Sequence, residues 1–281
     1  MITQGADGPS ATDPESSLKK FDPNVPSPAR VWDYWVGGKD NYAADRALAE
    51  QIVEAVPEMP VVALLTRQFI RRAVEELVTV YGIRQFLDIG SGLPTVENTH
   101  EVAQRAAPES RIVYVDNDPV VIRHAEALLN STPEGACAVL DADLRDPGVI
   151  VAETARTLDF GKPVALLLVQ VLHFIPDSDD PHGIVARLMA ALPPGSFLVM
   201  VHGASDLNSE VNAELTRQYN NASSAQISIR TFEEFSRFFT GLEPVGPGLV
   251  SGLEWLRTGG AELPHLAPGM TIGHNGIARK P

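Results

Sequence analysis

Cysteine is nearly absent. The 281-residue chain has one, Cys137, so no internal disulfide can form. It lies in an expected strand and is read as a small core residue. Basic residues are scarce. There are 22 against 36 acidic ones, a formal charge of −14. That balance opposes a nucleic-acid partner, because phosphate binding needs a positive face. Long apolar runs are missing too. The longest spans 164–172, is interrupted by Gln170, and is far too short to cross a bilayer, so no membrane partner is expected. The N-terminus has no basic-then-apolar signal pattern, and a reducing cytoplasm is the expected compartment. No His, Cys and carboxylate cluster has metal-ligand spacing, so no metal is expected. No internal repeat is found. What remains is 44% hydrophobic and 21% charged, the composition of a globular chain.

Residues 1–20 are rich in Gly, Ser, Pro, Asp and Thr and read as a flexible leader. Residues 21–281 show no composition break and are read as a single domain. Helices are expected from about Ala29 to the break at Gly37-Gly38, over 43–56, and over 63–80. In the third, Leu65, Phe69, Ala73, Leu77 and Val80 form one apolar stripe. Five strand-like runs follow at 85–89, 111–115, 136–140, 164–172 and 196–201. Helical segments fit 96–107, 119–130, 149–158 and 183–192 between them. Alternation of this kind implies parallel strands joined by right-handed crossovers. Residues 207–220 read as helix, and Thr231-Phe-Glu-Glu234 is a capping box that opens a short helix closed by Gly241. Two further strands are expected at 243–250 and 270–278, with a long excursion between them that contains Trp255.

The densest chemical signal is Asp88-Ile-Gly90-Ser91-Gly92 at the end of the first strand. A strand, a Gly-x-Gly turn and a helix are how a doubly wound sheet brings backbone close to a nucleoside. Alone, the motif is also an ordinary strand-to-helix turn. A dinucleotide fingerprint wants a third glycine where Thr95 stands, which weakens a nicotinamide reading. S-adenosyl-L-methionine (SAM) has no pyrophosphate, so the mismatch costs it less. An acid at Asp88 suits its ammonium. Asp116 lies 26 residues beyond Gly90, at the end of the second strand, where an acid can accept ribose hydroxyls. Asn117 follows it, and Asp118 before Pro119 fits a helix N-cap. After the third strand, Asp143 is the candidate for the adenine amino group, with the Leu144 backbone N–H for a ring nitrogen. Gln170 and His173 follow the fourth strand and fall near the methionine and acceptor end. His173 is either buried hydrogen-bonded structure or the catalytic base. His202, after the fifth strand, competes for that role.

Asp88–Gly92, Asp116, Asp143 and Leu172-His-Phe-Ile-Pro-Asp177 together resemble class I SAM-dependent methyltransferases. The chain is most similar to one branch, the S-adenosyl methyltransferase family of actinomycete-type bacteria. The residues that carry this are 29–46 (Ala-Arg-Val-Trp-Asp-Tyr-Trp-Val-Gly-Gly-Lys-Asp-Asn-Tyr-Ala-Ala-Asp-Arg), 86–95, Asn98-Thr-His100 and Gly248-Leu-Val250. The resemblance covers about residues 21–281. Two departures from general methyltransferases are Pro94 for a common third glycine and Gln170 for a common acid. It implies a Rossmann-like α/β sheet, mostly parallel with an antiparallel last strand, at 83–281, and an N-terminal helical cap at 29–60. It implies a SAM site from Asp88, Gly90, Gly92, Asp116 and Asp143. Residues 29–46 are read either as a cap over the crevice, with Asn41, Tyr42 and Arg46 reaching the ligand, or as plain helix packing on the sheet, the reading that Trp32 and Trp35 favour.

The expected activity is methyl transfer from SAM to an oxygen or nitrogen of a small molecule. The Asn/Asp-Pro-Pro-aromatic tetrad of amino-methylating DNA enzymes is absent. A SAM-binding regulator without transferase activity and a nicotinamide-dependent oxidoreductase are the rival readings. Neither the acceptor nor the oligomeric state is legible in the residues.

Overall fold

A computed structural model describes residues 21–223, 225–258 and 273–281. The expected leader at 1–20, and 270–272 of the expected last strand, lie outside the described residues. Three helices open the chain: α1 (Pro28–Trp35), α2 (Ala43–Ala55) and α3 (Met59–Thr79). The alternating core follows as β1 (Gln85–Ile89), α4 (Thr99–Ala106), β2 (Arg111–Asp116), α5 (Pro119–Leu128), β3 (Ala136–Asp141), α6 (Pro147–Thr154), β4 (Ala165–Val169), α7 (Pro181–Ala191) and β5 (Phe197–His202). The last part holds α8 (Ser209–Ala222), α9 (Phe232–Arg237), β6 (Glu243–Pro244), β7 (Val250–Ser251), α10 (Gly252–Thr258) and β8 (His274–Arg279).

The sheet order is β3-β2-β1-β4-β5-β8-β6, with β7 also paired to β8. Strands β1 to β5 are mutually parallel, and β8 runs antiparallel between β5 and β6. The fold is the mostly parallel α/β sheet with an antiparallel last strand. Parallel strands end at one edge, so Ile89, Asp116, Asp141, Val169 and His202 all finish together. Ligands bind beyond that carboxyl edge in open α/β sheets.

Side-chain alternation divides the core into two faces. Phe86, Ile112, Leu167 and Val199 pack with Leu65, Phe69, Ala73 and Leu77 of α3 and with Trp255. Leu87, Val113, Leu166 and Leu198 pack on the other face with Ile150, Ile184, Leu188 and Phe235. Both faces are covered, and the strands accordingly read as continuous apolar runs. A third, smaller core joins α1 and α2 to α8 through Val31, Trp35, Leu48, Ile52, Tyr219 and Ile227, with Phe174 packed against it.

Several boundaries differ from expectation. The α3 stripe holds from Leu65 to Leu77, but Val80 lies beyond the helix and is 69% exposed. The chain turns at Gly82 (φ 70°) and buries Ile83 instead. Helix α4 starts at Thr99 rather than Val96, because Glu97 takes φ 60° and the Glu101 carboxylate accepts the Asn98 N–H at 2.8 Å, making Asn98 the N-cap. The fourth strand stops at Val169. Gln170 turns left-handed at φ 55°, and Leu172–Phe174 forms one 3-10 turn. The expected strand at 243–250 is two short pieces, since Gly246 and Gly248 both take positive φ and break the pleat. Among the described residues, no helix is long and apolar enough to cross a membrane.

Candidate functional site

The glycine turn leaves β1 with Gly90 at φ 73° and Gly92 at φ 65°, a region that L side chains seldom enter. Gly90 must also lack a side chain for space. A Cβ there would lie 2.4 Å from Cγ2 of Val171. The turn is pinned to β2, where the Val115 carbonyl accepts the Gly90 N–H at 2.8 Å and the Ser91 N–H at 3.4 Å.

Asp116 ends β2 and organises the same edge. Its Oδ2 accepts the Gly92 N–H at 3.0 Å, and its Oδ1 accepts the N–H groups of Asn117 and Asp118 at 2.9 and 3.0 Å. Burial pushes its carboxyl above the ordinary range, and the three N–H bonds pull it only partly back. Asn117 donates from Nδ2 to Asp143 Oδ2 at 3.0 Å. Asp143 also accepts the Arg145 N–H at 2.9 Å and pairs with the Arg145 guanidinium at 3.3 Å. Burial opposes its ionisation, but the Arg145 backbone, Asn117 and the Arg145 side chain outweigh it and hold the carboxyl below the usual range. Arg145 reaches on to Asp179 at 2.6 Å and to the Phe174 carbonyl at 3.2 Å. A continuous hydrogen-bonded run therefore follows the carboxyl edge from Gly92 through Asp116, Asn117 and Asp143 to the loop after β4. Leu144, by contrast, buries its side chain in the core.

Asp88 lies beneath the glycine turn and is buried. Its Oδ2 accepts the Thr99 hydroxyl at 2.7 Å. Burial pushes its carboxyl up to about 6. Thr99 and the charge of Arg67 work against that rise, and Asp116 adds to it. Arg67, in the first half of α3, stands within electrostatic range of Asp88, Tyr114, Glu101 and Glu97. Its Nη2 donates to the carbonyls of Val96 and Glu97, each at 3.3 Å. Nothing in the local sequence distinguishes Arg67 from a solvated helix arginine. Only the packing of α3 against α4 brings it to the turn.

At the end of β4, the strained Gln170 donates its N–H to the Val201 carbonyl at 2.9 Å and presents Val171 to Gly90. His173 follows in the 3-10 turn. Its ring lies 4.2 Å from that of Phe174 and 5.9 Å from that of His202. Its Nδ1 is buried without a hydrogen-bond partner. Burial, reinforced by His202 and Arg230, holds the imidazole well below its ordinary value, so the ring is neutral at physiological pH. His202 is different. Its Nδ1 faces the Gly203 carbonyl at 2.8 Å, and its Nε2 faces Arg230 Nη1 at 2.9 Å. Since arginine only donates, His202 carries its proton on Nδ1 and keeps no free lone pair. Burial holds it down at about 3. Arg230, which the sequence did not single out, also binds the Leu172 and Ile175 carbonyls and Asp177. It staples the loop that carries His173.

The α1–α2 pair stands over this edge. The Ser27 hydroxyl bonds to the Asp118 carboxylate, and the Asp40 carboxylate lies 3.6 Å from the His124 ring of α5. Within the pair, buried Arg30 and Asp45 form an ion pair at 2.9 Å. Asp45 also accepts the N–H groups of Ser27 and Tyr42. Asn41 donates to Asp33 at 2.8 Å, and its Oδ1 accepts from Arg46, so both polar groups already serve the loop after α1. Tyr42 turns its ring towards Phe21 (5.2 Å) and Arg30 (5.3 Å). At the opposite, amino-terminal edge of the strands, a surface depression is lined by Tyr81, Arg84, Lys162 and Arg279 and holds none of the motif residues. Its cations Arg84 and Lys162 pair with Glu109 and Asp159. Among the described residues, no group of three or more His, Cys, Asp or Glu is placed to hold a metal ion.

A family model described as S-adenosyl methyltransferase matches residues 14–281. A DUF574 family protein from Streptomyces avermitilis is 41% identical, with 92% of this chain and 99% of that one covered and a TM-score of 0.85. A protein from Thermobifida fusca, described as a candidate methyltransferase, is 38% identical over 96% of this chain and 99% of its own, with a TM-score of 0.83. The plantazolicin methyltransferase BpumL, solved with a desmethylplantazolicin analogue and S-adenosylhomocysteine, shares the fold at 15% identity and a TM-score of 0.51, over 90% of this chain and 96% of that one. No curated protein matches.

Proposed function

The chain belongs to the S-adenosyl methyltransferase family and is a SAM-dependent methyltransferase, and we propose that it methylates an oxygen or nitrogen of a small molecule at the carboxyl edge of the sheet. The hydrogen-bonded run Gly92–Asp116–Asn117–Asp143 supports the choice of that edge for the cofactor. It supplies acids for ribose and adenine side by side, at the edge where such sheets take ligands.

Asp116 and Asn117 would hold the ribose, and Asp143 with the Leu144 backbone the adenine. Asp88, Gly90, Ser91, Gly92 and Gln170 would hold the methionine end. Asp88 fits a cationic group because it is a buried acid that, among the described residues, bonds to a single hydroxyl. When bound, SAM supplies an activated methyl group on its sulfonium, so the protein's share is alignment and exclusion of water. The α1–α2 pair, with Asn41 and Tyr42 in its connecting loop, acts as the cap that excludes it. His173, whose Nδ1 has no partner, would take the proton the acceptor releases, against a burial that disfavours the charged ring. The net charge of −14 supports a small acceptor over a polyanion, and a cytoplasmic setting is part of the same reading.

The test is calorimetry with S-adenosylhomocysteine and NAD, followed by transfer of labelled methyl from SAM into separated small-molecule, protein and nucleic-acid fractions. Binding of S-adenosylhomocysteine alone and label in the small-molecule fraction are expected. Label confined to protein or nucleic acid refutes the acceptor class.

A further inference from the structure

Buried charges in a folded protein are normally paired and hydrogen-bonded. At the glycine turn, buried Asp88 and half-buried Arg67 have no charged partner at ion-pair distance among the described residues. Asp88 is buried, and among the described residues its carboxylate accepts a hydrogen bond from the Thr99 hydroxyl alone. Arg67 spends Nη2 on two long contacts to the Val96 and Glu97 carbonyls. Among the described residues, no carboxylate stands at ion-pair distance from its guanidinium, although burial penalises its charge. Asp88 is the foremost of the acids that offset that burial, so the two are near neighbours without touching. Both face the layer of α3 and α4, Asp88 by strand alternation with Phe86 and Arg67 from α3 itself. The loop of residues 90–97 runs past both.

We propose that Arg67 is the cation that receives the α-carboxylate of the cofactor's methionine, with Asp88 facing the α-ammonium, so that the turn holds a complete zwitterion site. This rests on the SAM reading above and assigns a binding group to α3, outside every motif of the sheet. A guanidinium offers paired donors that match a carboxylate, which lysine's point charge does not. The competing role is a purely structural one, a staple on the loop after the glycine turn.

The two roles separate by ligand. S-adenosylhomocysteine carries the amino-acid head, whereas 5′-methylthioadenosine has the same nucleoside and thioether without it. Calorimetry with both ligands is run on the full native chain, Arg67→Met and Arg67→Lys. Arg67→Met should weaken S-adenosylhomocysteine by about 10- to 100-fold, the loss expected for a charge-assisted bond, and leave methylthioadenosine unchanged. Arg67→Lys should recover part of that loss. Equal weakening of both ligands makes Arg67 a staple, and no weakening of either removes it from the site; both overturn the proposal. If Arg67→Met fails to fold, Arg67→Lys alone decides, since it must lower only S-adenosylhomocysteine affinity. A native protein that binds neither ligand overturns the SAM reading itself.

Discussion

Replacing Asp88 by asparagine should stabilise the ligand-free protein while impairing its cofactor site. Burial raises the Asp88 carboxyl from 3.8 to about 6. A folded value above the unfolded one means that folding penalises the ionised form. Each pKa unit is worth about 1.4 kcal/mol, so the penalty is at most about 3 kcal/mol. It is borne in full above the folded value, shrinks as pH falls through the window between about 6 and 3.8, and is absent below it. The neutral amide of Asp88→Asn carries no such penalty and can still accept from the Thr99 hydroxyl. Arg67 loses a negative neighbour, which reduces the gain to about 1–3 kcal/mol. Urea unfolding of ligand-free protein measures this. The variant should exceed the native chain at neutral pH, and the gap should narrow by roughly pH 5. Calorimetry on the same samples should show S-adenosylhomocysteine bound more weakly to the variant at neutral pH. Native affinity should fall on acidification as Asp88 takes up its proton. A variant less stable than native at neutral pH, or one with unchanged affinity, would refute the reasoning, because Asp88 would then be ordinary structure.

Gly90→Ala forces a Cβ to within 2.4 Å of Val171 at φ 73°. It should cost at least about 1–2 kcal/mol by thermal unfolding and weaken S-adenosylhomocysteine; a native melting temperature would mean the turn has room. Arg30→Met strands the buried Asp45 carboxylate and should cost about 3–5 kcal/mol. Hydrogen exchange should show residues 27–46 deprotected in that variant, and unchanged protection would mean the ion pair does not hold the helix pair. His173→Gln should lower methyl transfer at least about tenfold, equivalent to about 1.4 kcal/mol of barrier, with S-adenosylhomocysteine affinity intact. If turnover survives, alignment alone suffices; if binding and stability collapse together, His173 is a core residue.

Much of this molecule was legible residue by residue. The strand at Gln85–Ile89 was located by its apolar run and the glycines after it, and the helix opened by Thr231 by its capping box, in which the Glu234 carboxylate accepts the Thr231 N–H at 2.8 Å. Those signals are local, because propensity, capping and turn chemistry act over a few neighbours. The parallel sheet followed from the alternation of such elements. Local rules also failed locally. Val96 has a helix-compatible sequence around it, yet the left-handed Glu97 delays the helix to Thr99. The apolar run through Val171 reads as strand, yet Gln170 turns left-handed where Val171 packs against Gly90.

The fold class, the glycine turn and the acids that end the strands are written in the order of residues, because each depends on short-range periodicity and on conformations that few residues adopt. What those groups meet depends on how distant segments pack. The Asn117–Asp143 bond joins two loops, and Arg230 joins His202 to the loop after β4. Arg67 comes within electrostatic range of Asp88 only because α3 packs against α4. Such partners lie far apart along the chain. Burial, which sets the state of Asp88, His173 and His202, exists only once distant segments have packed together and removed the water between them.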